Sequence, residues 1–220
     1  MEFDSYLSKK GTYEFLPFNN REAFENQLSK TKQCLIISSG WHYSQINEKF
    51  SLTPVMAGVR KGKTHQKRIL AADNLSDLQS AAAGQIASAT SIEHTVDELV
   101  FIFKQRIDPR KILKVPRDID ALMSVGIGIS QSALAAESSL EKLHNIHPSL
   151  FKKIKILAAG NPSWLLIVSV HKEFRQDAGS IIEVLKNMPD DPSAESRIKM
   201  LGLDRWENIE DTGRLNAGGL

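Results

Sequence analysis

Apolar residues recur along this chain with two periods, and segments of the two kinds alternate. Short, nearly unbroken apolar runs bounded by Gly, Pro, Asn or Ser have the length of buried strands. Such runs fall at 34–38, 52–59, 68–72, 112–115, 125–130, 153–158 and 165–170, with briefer strand patterns at 13–18 and 85–88. Between them the spacing becomes helical. Ile92, Val96, Leu99, Val100 and Phe103 form one stripe over residues 91 to about 106, closed by Asp108-Pro109. Further helices are predicted near 21–30 behind Asn19 and Asn20, at 76–83 up to Gly84, at 118–123, at 131–144 and at 175–188. Another opens at Pro148, and a last one runs from a Ser193 cap to a Gly202 stop. Residues 3–8 read as the end of a helix, 40–43 as a loop or helix start, and the tail after Trp206 as loosely ordered. The runs at 52–59 and 68–72, joined by a basic turn, read as a hairpin.

Strands that alternate with helices imply an α/β fold with largely parallel sheets. In such sheets ligands bind beyond the C-terminal ends of strands. Three loops meet that description, 38–43, 88–92 and 130–133, each carrying Ser, Thr or aromatic side chains. The stretch Gly84-Gln85-Ile86-Ala87-Ser88-Ala89-Thr90-Ser91 is the most pointed of them. Hydroxyl residues at a helix start cap its free N–H groups. The same N–H groups and the helix dipole hold phosphate or another small anion. The sequence leaves both readings open.

At 220 residues the chain suffices for one large domain or two lobes of roughly 100 residues each. Its 41% apolar and 25% charged residues are ordinary for a globular protein, and a net charge of +2 implies neither nucleic acid nor membrane. No run approaches the roughly 18 apolar residues of a membrane span, and residues 1–15 show no secretory signal. Cys34, the one cysteine, reads as a buried strand residue and excludes an internal disulfide. Five basic residues lie within Arg60-Lys61-Gly62-Lys63-Thr64-His65-Gln66-Lys67-Arg68; without an aromatic platform they read as a solvated hairpin turn.

Other candidates for chemistry are few. His42, between Trp41 and Tyr43, has three readings: acid–base catalyst, ligand contact or packing residue. His144 and His147 lack a carboxylate or cysteine that would complete a metal set. Glu93 and His94 follow the hydroxyl cluster, where a Glu also suits the helix dipole. Trp164, in Asn161-Pro162-Ser163-Trp164, either walls a cleft or packs. No nucleophile–base pair, Walker loop or dinucleotide fingerprint is present, so neither enzyme, metal nor cofactor is expected.

The order of these motifs resembles the substrate-binding proteins of phosphate and phosphonate ABC importers, the type 2 periplasmic binding proteins. Phe15-Leu16-Pro17-Phe18 and Leu35-Ile36-Ile37-Ser38-Ser39-Gly40-Trp41-His42-Tyr43 are similar to the family's second and third strands. Leu52-Thr53-Pro54-Val55, Arg60-Lys61-Gly62-Lys63 and Arg68-Ile69-Leu70 match its hairpin into the second lobe. Asn74-Leu75-Ser76-Asp77-Leu78 with Gly84-Gln85-Ile86-Ala87, and Asp190-Asp191-Pro192-Ser193 with Met200-Leu201-Gly202-Leu203, resemble later family runs.

The resemblance implies a two-lobed α/β fold with mixed, largely parallel sheets and a cleft between lobes. Lobe I would comprise 1–71 and 165–220, and lobe II 72–164. It implies an ABC-importer solute-binding protein that captures a small oxyanion by hinge closure and presents it to a membrane permease, outside the cytoplasm. Ser88, Thr90 and Ser91 would contact the anion from lobe II, Ser39, His42 and Tyr43 from lobe I, and Ser130 would end a lobe II strand. Alternatives are a ligand-sensing domain of a signalling system or, less simply, a small-molecule enzyme on the same fold. The chain departs from the family in three ways. The opening strand has no counterpart, Ser124-Val125-Gly126-Ile127-Gly128 stands where Gly-x-x-Asp-Ala is common, and the link from Leu78 to Gly84 is longer.

Overall fold

The computed structural model describes residues 2–74 and 76–209. The chain divides into two compact units, Met1–His65 with Trp164–Leu220, and Gln66–Ser163. In chain order the helices are α1 (Glu2–Leu7), α2 (Arg21–Lys30), α3 (Gly40–Ile46), α4 (Leu78–Ala83), α5 (Ile92–Phe103), α6 (Asp118–Gly126), α7 (Glu137–Ile146), α8 (Pro148–Phe151), α9 (Gly179–Lys186) and α10 (Glu195–Met200). The strands are β1 (Leu35–Ser38), β2 (Leu52–Val59), β3 (His65–Gln66), β4 (Arg68–Asp73), β5 (Ile86–Ser88), β6 (Ile112–Lys114), β7 (Ser132–Ala136), β8 (Ile154–Ala159), β9 (Ser163–Trp164), β10 (Ile167–His171) and β11 (Arg205–Asn208). The short strands β3 and β9, where the chain leaves the first unit and returns to it, pair as a two-stranded sheet.

The first unit is built on a sheet of order β1-β10-β2-β11, antiparallel throughout. Side chains alternate across it. Ile36 of β1 joins Ile46 and Leu52 in a small core, with Phe24 and Leu28 of α2 and Tyr43 of α3 packed on it. The opposite face carries the larger core, in which Val55, Val168 and Val170 meet Phe3 and Tyr6 of α1, Ile181 and Leu185 of α9 and Ile198 of α10. Each fully buried aliphatic side chain is worth ~1.5–3 kcal/mol. Asn20 caps α2, its side chain accepting the Ala23 N–H at 3.1 Å.

The second unit holds a five-stranded sheet of order β6-β5-β7-β4-β8. Both faces are covered, which explains why β4 and β7 are continuous apolar runs rather than alternating ones. Ile69, Ala71, Ala133 and Ala135 face Ala121, Leu122 and Leu143 of α6 and α7. Leu70, Ile86 and Leu134 face Ala81 of α4 and Leu99 and Ile102 of α5.

Several expectations are corrected. Parallel pairing is confined to β5 with β6 and β7; the other pairings described in the two large sheets are antiparallel. Strand–helix–strand units give parallel neighbours, but β4 enters its unit, and β10 re-enters the other, against the strands beside it. The expected hairpin is absent for the same reason: β2 pairs with β10 and β11, and β4 with β7 and β8. Arg68–Asp73 thus belongs to the second unit, which begins at Gln66, ahead of the boundary expected after residue 71. The apolar run at 125–130 is not a strand. Val125 and Gly126 end α6, Gly128 turns the chain at φ +78°, and Ile127 and Ile129 are more than half exposed. The strand follows at 132–136, and α7 starts at Glu137. Residues 13–18 form no strand; they are held by the Phe15 N–H donating to Asp4 Oδ1 at 2.9 Å and by Phe3 against Phe15. Cys34 lies just before β1, half-buried, its thiol 3.3 Å from the Thr31 carbonyl. Ala194, not Ser193, is the N-cap of α10. Beyond Trp206 the chain continues as β11 to Asn208, and the tail from 210 onward lies outside the described residues.

Candidate functional site

In the second unit β5, β6 and β7 run the same way, so α5, α6 and α7, which follow them, begin at one edge of the sheet. Helix starts leave backbone N–H groups without intrahelical carbonyls. The hydroxyl cluster expected from the sequence sits on this edge. Ser88 ends β5 fully buried, Thr90 is half-buried, and Ser91 is the exposed N-cap of α5, accepting the His94 N–H at 3.2 Å.

A fourth hydroxyl ties the loop together. Thr95, fully buried on the first turn and a half of α5, places its Oγ1 2.9 Å from both Ser88 Oγ and Thr90 Oγ1, and donates to the Ser91 carbonyl at 2.8 Å. Ser88 Oγ and Thr90 Oγ1 are 3.1 Å apart. The outer side of the loop is braced by Lys114 at the end of β6, whose ammonium donates to the Ala89 and Thr90 carbonyls. Three hydroxyls in mutual contact thus form a neutral cradle beside the start of α5, where the first N–H groups have no intrahelical carbonyl. Thr95 was not singled out in the sequence, although its place four residues after Ser91 puts it over the cap.

Two charged residues at this edge were also missed. Arg68, the first residue of β4, is buried and pairs with Asp118 at the start of α6, Nη1 to Oδ1 at 3.1 Å. Arg68 is therefore no part of a solvated turn. Asp118 Oδ2 in turn accepts the Ala136 N–H at 3.1 Å.

Ser130 is not brought to this edge. It lies before the start of β7, at the opposite end of the parallel strands from Ser88, since Ile86 pairs with Ser132 and Ser88 with Leu134. It is buried, with its hydroxyl 2.7 Å from that of Ser124.

In the first unit, Ser39 caps α3, accepting the His42 N–H at 3.2 Å. Gly40 is required at the next position, because a Cβ there would stand 2.7 Å from the Trp164 carbonyl oxygen and 2.8 Å from its nitrogen. Trp164 itself packs on His65 with ring centroids 4.0 Å apart. His42 turns its ring toward α2, 5.1 Å from the Phe24 ring, with Nε2 3.7 Å from Glu25 Oε1. Burial, and then the charge of Arg21, hold its pKa below the usual imidazole value, against the pull of Glu25. Tyr43 packs against the Ile36–Ile46–Leu52 core, and burial raises its phenol pKa. The structure thus gathers Ser39, His42 and Tyr43 on one helix start, with the two rings engaged in packing. Among the described residues no cluster of three or more His, Cys, Asp or Glu could hold a metal ion, and no helix is long and apolar enough to cross a membrane.

No protein-family model matches the sequence, and no curated protein matches it. Solved structures do. The protein XAC2383 from Xanthomonas citri, bound to chloride, is 12% identical; the match covers 97% of this chain and 86% of that one with a TM-score of 0.70. A binding-protein component of an ABC phosphonate transporter from Pseudomonas aeruginosa is 11% identical, with 94% and 74% covered and a TM-score of 0.66. PhnD1 from Prochlorococcus marinus, in complex with methylphosphonate, is 13% identical, with 98% and 91% covered and a TM-score of 0.58. The chain has the fold of these three proteins.

Proposed function

We propose that this chain is the solute-binding protein of an ABC importer, working outside the cytoplasm, and that its solute is a small oxyanion such as a phosphonate or phosphate. The observation that carries the reading is the hydroxyl cradle of Ser88, Thr90 and Thr95 at the capped start of α5, on the edge of the sheet where the parallel strands end. It occurs in a fold shared with phosphonate-transporter binding components. Thr90 and Ser91 offer hydroxyls and the first turn of α5 its N–H groups, with the buried Ser88 and Thr95 hydroxyls orienting Thr90 from beneath. From the first unit, the contact we assign is Ser39 at the start of α3. His42 and Tyr43, on the same helix, are assigned no acid or base role. The mechanism is closure. Contacts made by both units at once shift the equilibrium toward a closed state, and a permease reads that state.

A thermal-shift panel tests this reading, with phosphate, methylphosphonate, aminoethylphosphonate, sulfate and short carboxylates each added to the whole chain. A ligand at about 100 times its Kd adds ~2.7 kcal/mol of stability, which is a rise of roughly 5–10 °C for a chain of this size. A selective rise with one oxyanion supports the reading; a flat panel overturns it.

A further inference from the structure

Arg68 and Asp118 stand on the same sheet edge as the hydroxyl cradle and are not used by it. Arg68 lies opposite Ala136, two residues beyond the Leu70–Leu134–Ser88 row, at the end of the sheet from which the Ser88–Ser91 loop leaves. By alternation it shares the α5 face of the sheet with Leu70 and Leu134. Its guanidinium nevertheless meets Asp118 of α6, which covers the other face. The side chain therefore crosses over the end of the sheet, where α/β sheets bind ligands.

Its state there is unusual. The side chain is only 9% exposed, and its one described side-chain hydrogen bond is the 3.1 Å contact to Asp118. Its buried Nε has no partner among the described residues. A guanidinium has five N–H donors, and burying a cation with donors unspent is unfavourable unless another group takes them. Asp118 is fixed from its far side by the Ala136 N–H. It opens α6, and Ala136 is the N-cap of α7, so the guanidinium is held where two helix starts of nine and ten residues meet. Among the described residues neither start has a side-chain cap.

We propose that Arg68 is the charge-selecting ligand contact of the second unit, held in place by Asp118, and that it makes the site prefer a doubly charged oxyanion over a singly charged one of the same shape. This rests on the oxyanion-binding reading above. The cradle hydroxyls are neutral and distinguish shape. The planar guanidinium pairs two donors with two oxygens of a phosphonate or phosphate. A second negative charge on the ligand strengthens that pairing, which uses guanidinium donors that Asp118 does not take.

The test is calorimetric titration of the full chain, in buffer alkaline enough for methylphosphonate to be the dianion, with methylphosphonate and with methanesulfonate, which then has the same shape and one charge fewer. Wild type, Arg68→Gln and Arg68→Lys are compared, with circular dichroism reporting their fold. Wild type is expected to favour methylphosphonate. Arg68→Gln should weaken methylphosphonate by roughly 10- to 100-fold and methanesulfonate far less, so that the preference collapses. Arg68→Lys keeps the charge without the fork and should fall between. A folded Arg68→Gln variant with wild-type affinity, or with both ligands weakened by one factor, overturns the proposal while leaving the binding reading intact. If Arg68→Gln does not fold, Arg68→Lys decides: unchanged affinity and preference overturn the proposal. A wild type that binds neither ligand overturns the proposal, and only a flat panel across all the anions removes the binding reading itself.

Discussion

Replacing Thr95 by valine removes one hydroxyl from the centre of the cradle while nearly keeping the side chain's shape. Thr95 is fully buried, and its Oγ1 contacts Ser88 Oγ and Thr90 Oγ1 at 2.9 Å and the Ser91 carbonyl at 2.8 Å. Each such bond contributes ~0.5–1.5 kcal/mol net, and a buried polar atom left short of partners costs ~1–3 kcal/mol. Ser88 is itself fully buried and keeps the 3.1 Å contact to the Thr90 hydroxyl and the Thr90 N–H at 3.4 Å. The added methyl recovers part of the loss through apolar burial, so Thr95→Val should destabilise by about 1–3 kcal/mol. At 2–4 °C per kcal/mol for a chain of this size, the melting temperature falls by roughly 2–12 °C. Urea and thermal unfolding of wild type and variant measure this directly. Titration with methylphosphonate should show weaker binding as well, since the Ser88 and Thr90 hydroxyls lose the atom that orients them. A loss below about 0.5 kcal/mol with unchanged affinity would refute the idea that these hydroxyls form one interlocked cradle, because ordinary surface substitutions fall in that range.

Two further perturbations follow from the first unit. Gly40→Ala drives a Cβ to within 2.7–2.8 Å of the backbone of Trp164. Backbone atoms yield less readily than a side-chain tip, so the cost is expected at or above ~1–3 kcal/mol and is read by urea unfolding; an unaltered midpoint would contradict the close packing. Glu25 is held as a carboxylate by Lys49 at 2.8 Å and Arg21 at 2.6 Å, which lower its pKa from 4.5 to about 2. The folded state therefore binds this proton less readily than the unfolded one, and the stabilisation is present above pH 4.5 and lost as pH falls toward about 2. Glu25→Gln should flatten that part of the acid-unfolding profile, and an identical acid slope in the variant would count against the pairing.

How legible the molecule was depended on whether the local signal and the tertiary context agreed. The helix Ile92–Phe103 has an apolar stripe, a Ser cap and a polar exit, and all three point the same way. Asn20 and Pro148 marked their helix starts by side-chain and ring geometry alone. The run from Val125 to Ile129 misled because periodicity does not separate a helix end from a strand when two glycines interrupt it; the exposure of Ile127 and Ile129 is a tertiary fact. Sheet direction was illegible for a similar reason. Nothing local in Arg68–Asp73 or Ile167–His171 says that the chain is crossing between units and will lie against its neighbours. At the candidate site, Ser88, Thr90 and Ser91 stood out because hydroxyls cluster in sequence just before a helix. Thr95 did not stand out, being one threonine inside an apolar helix. Arg68 was hidden in a basic stretch whose other members flank a turn; only the pairing of β4 with β7 buries it beside Asp118.

The central claim is that this chain captures a small oxyanion, and calorimetric titration of methylphosphonate into the intact wild-type protein tests it most directly. The account predicts a saturable one-to-one isotherm, weakened by Thr95→Val. Contradiction would be the absence of any saturable heat for methylphosphonate and phosphate alike, from a protein shown to be folded, up to concentrations of about 1 mM, where a binding free energy weaker than ~4 kcal/mol would be implied.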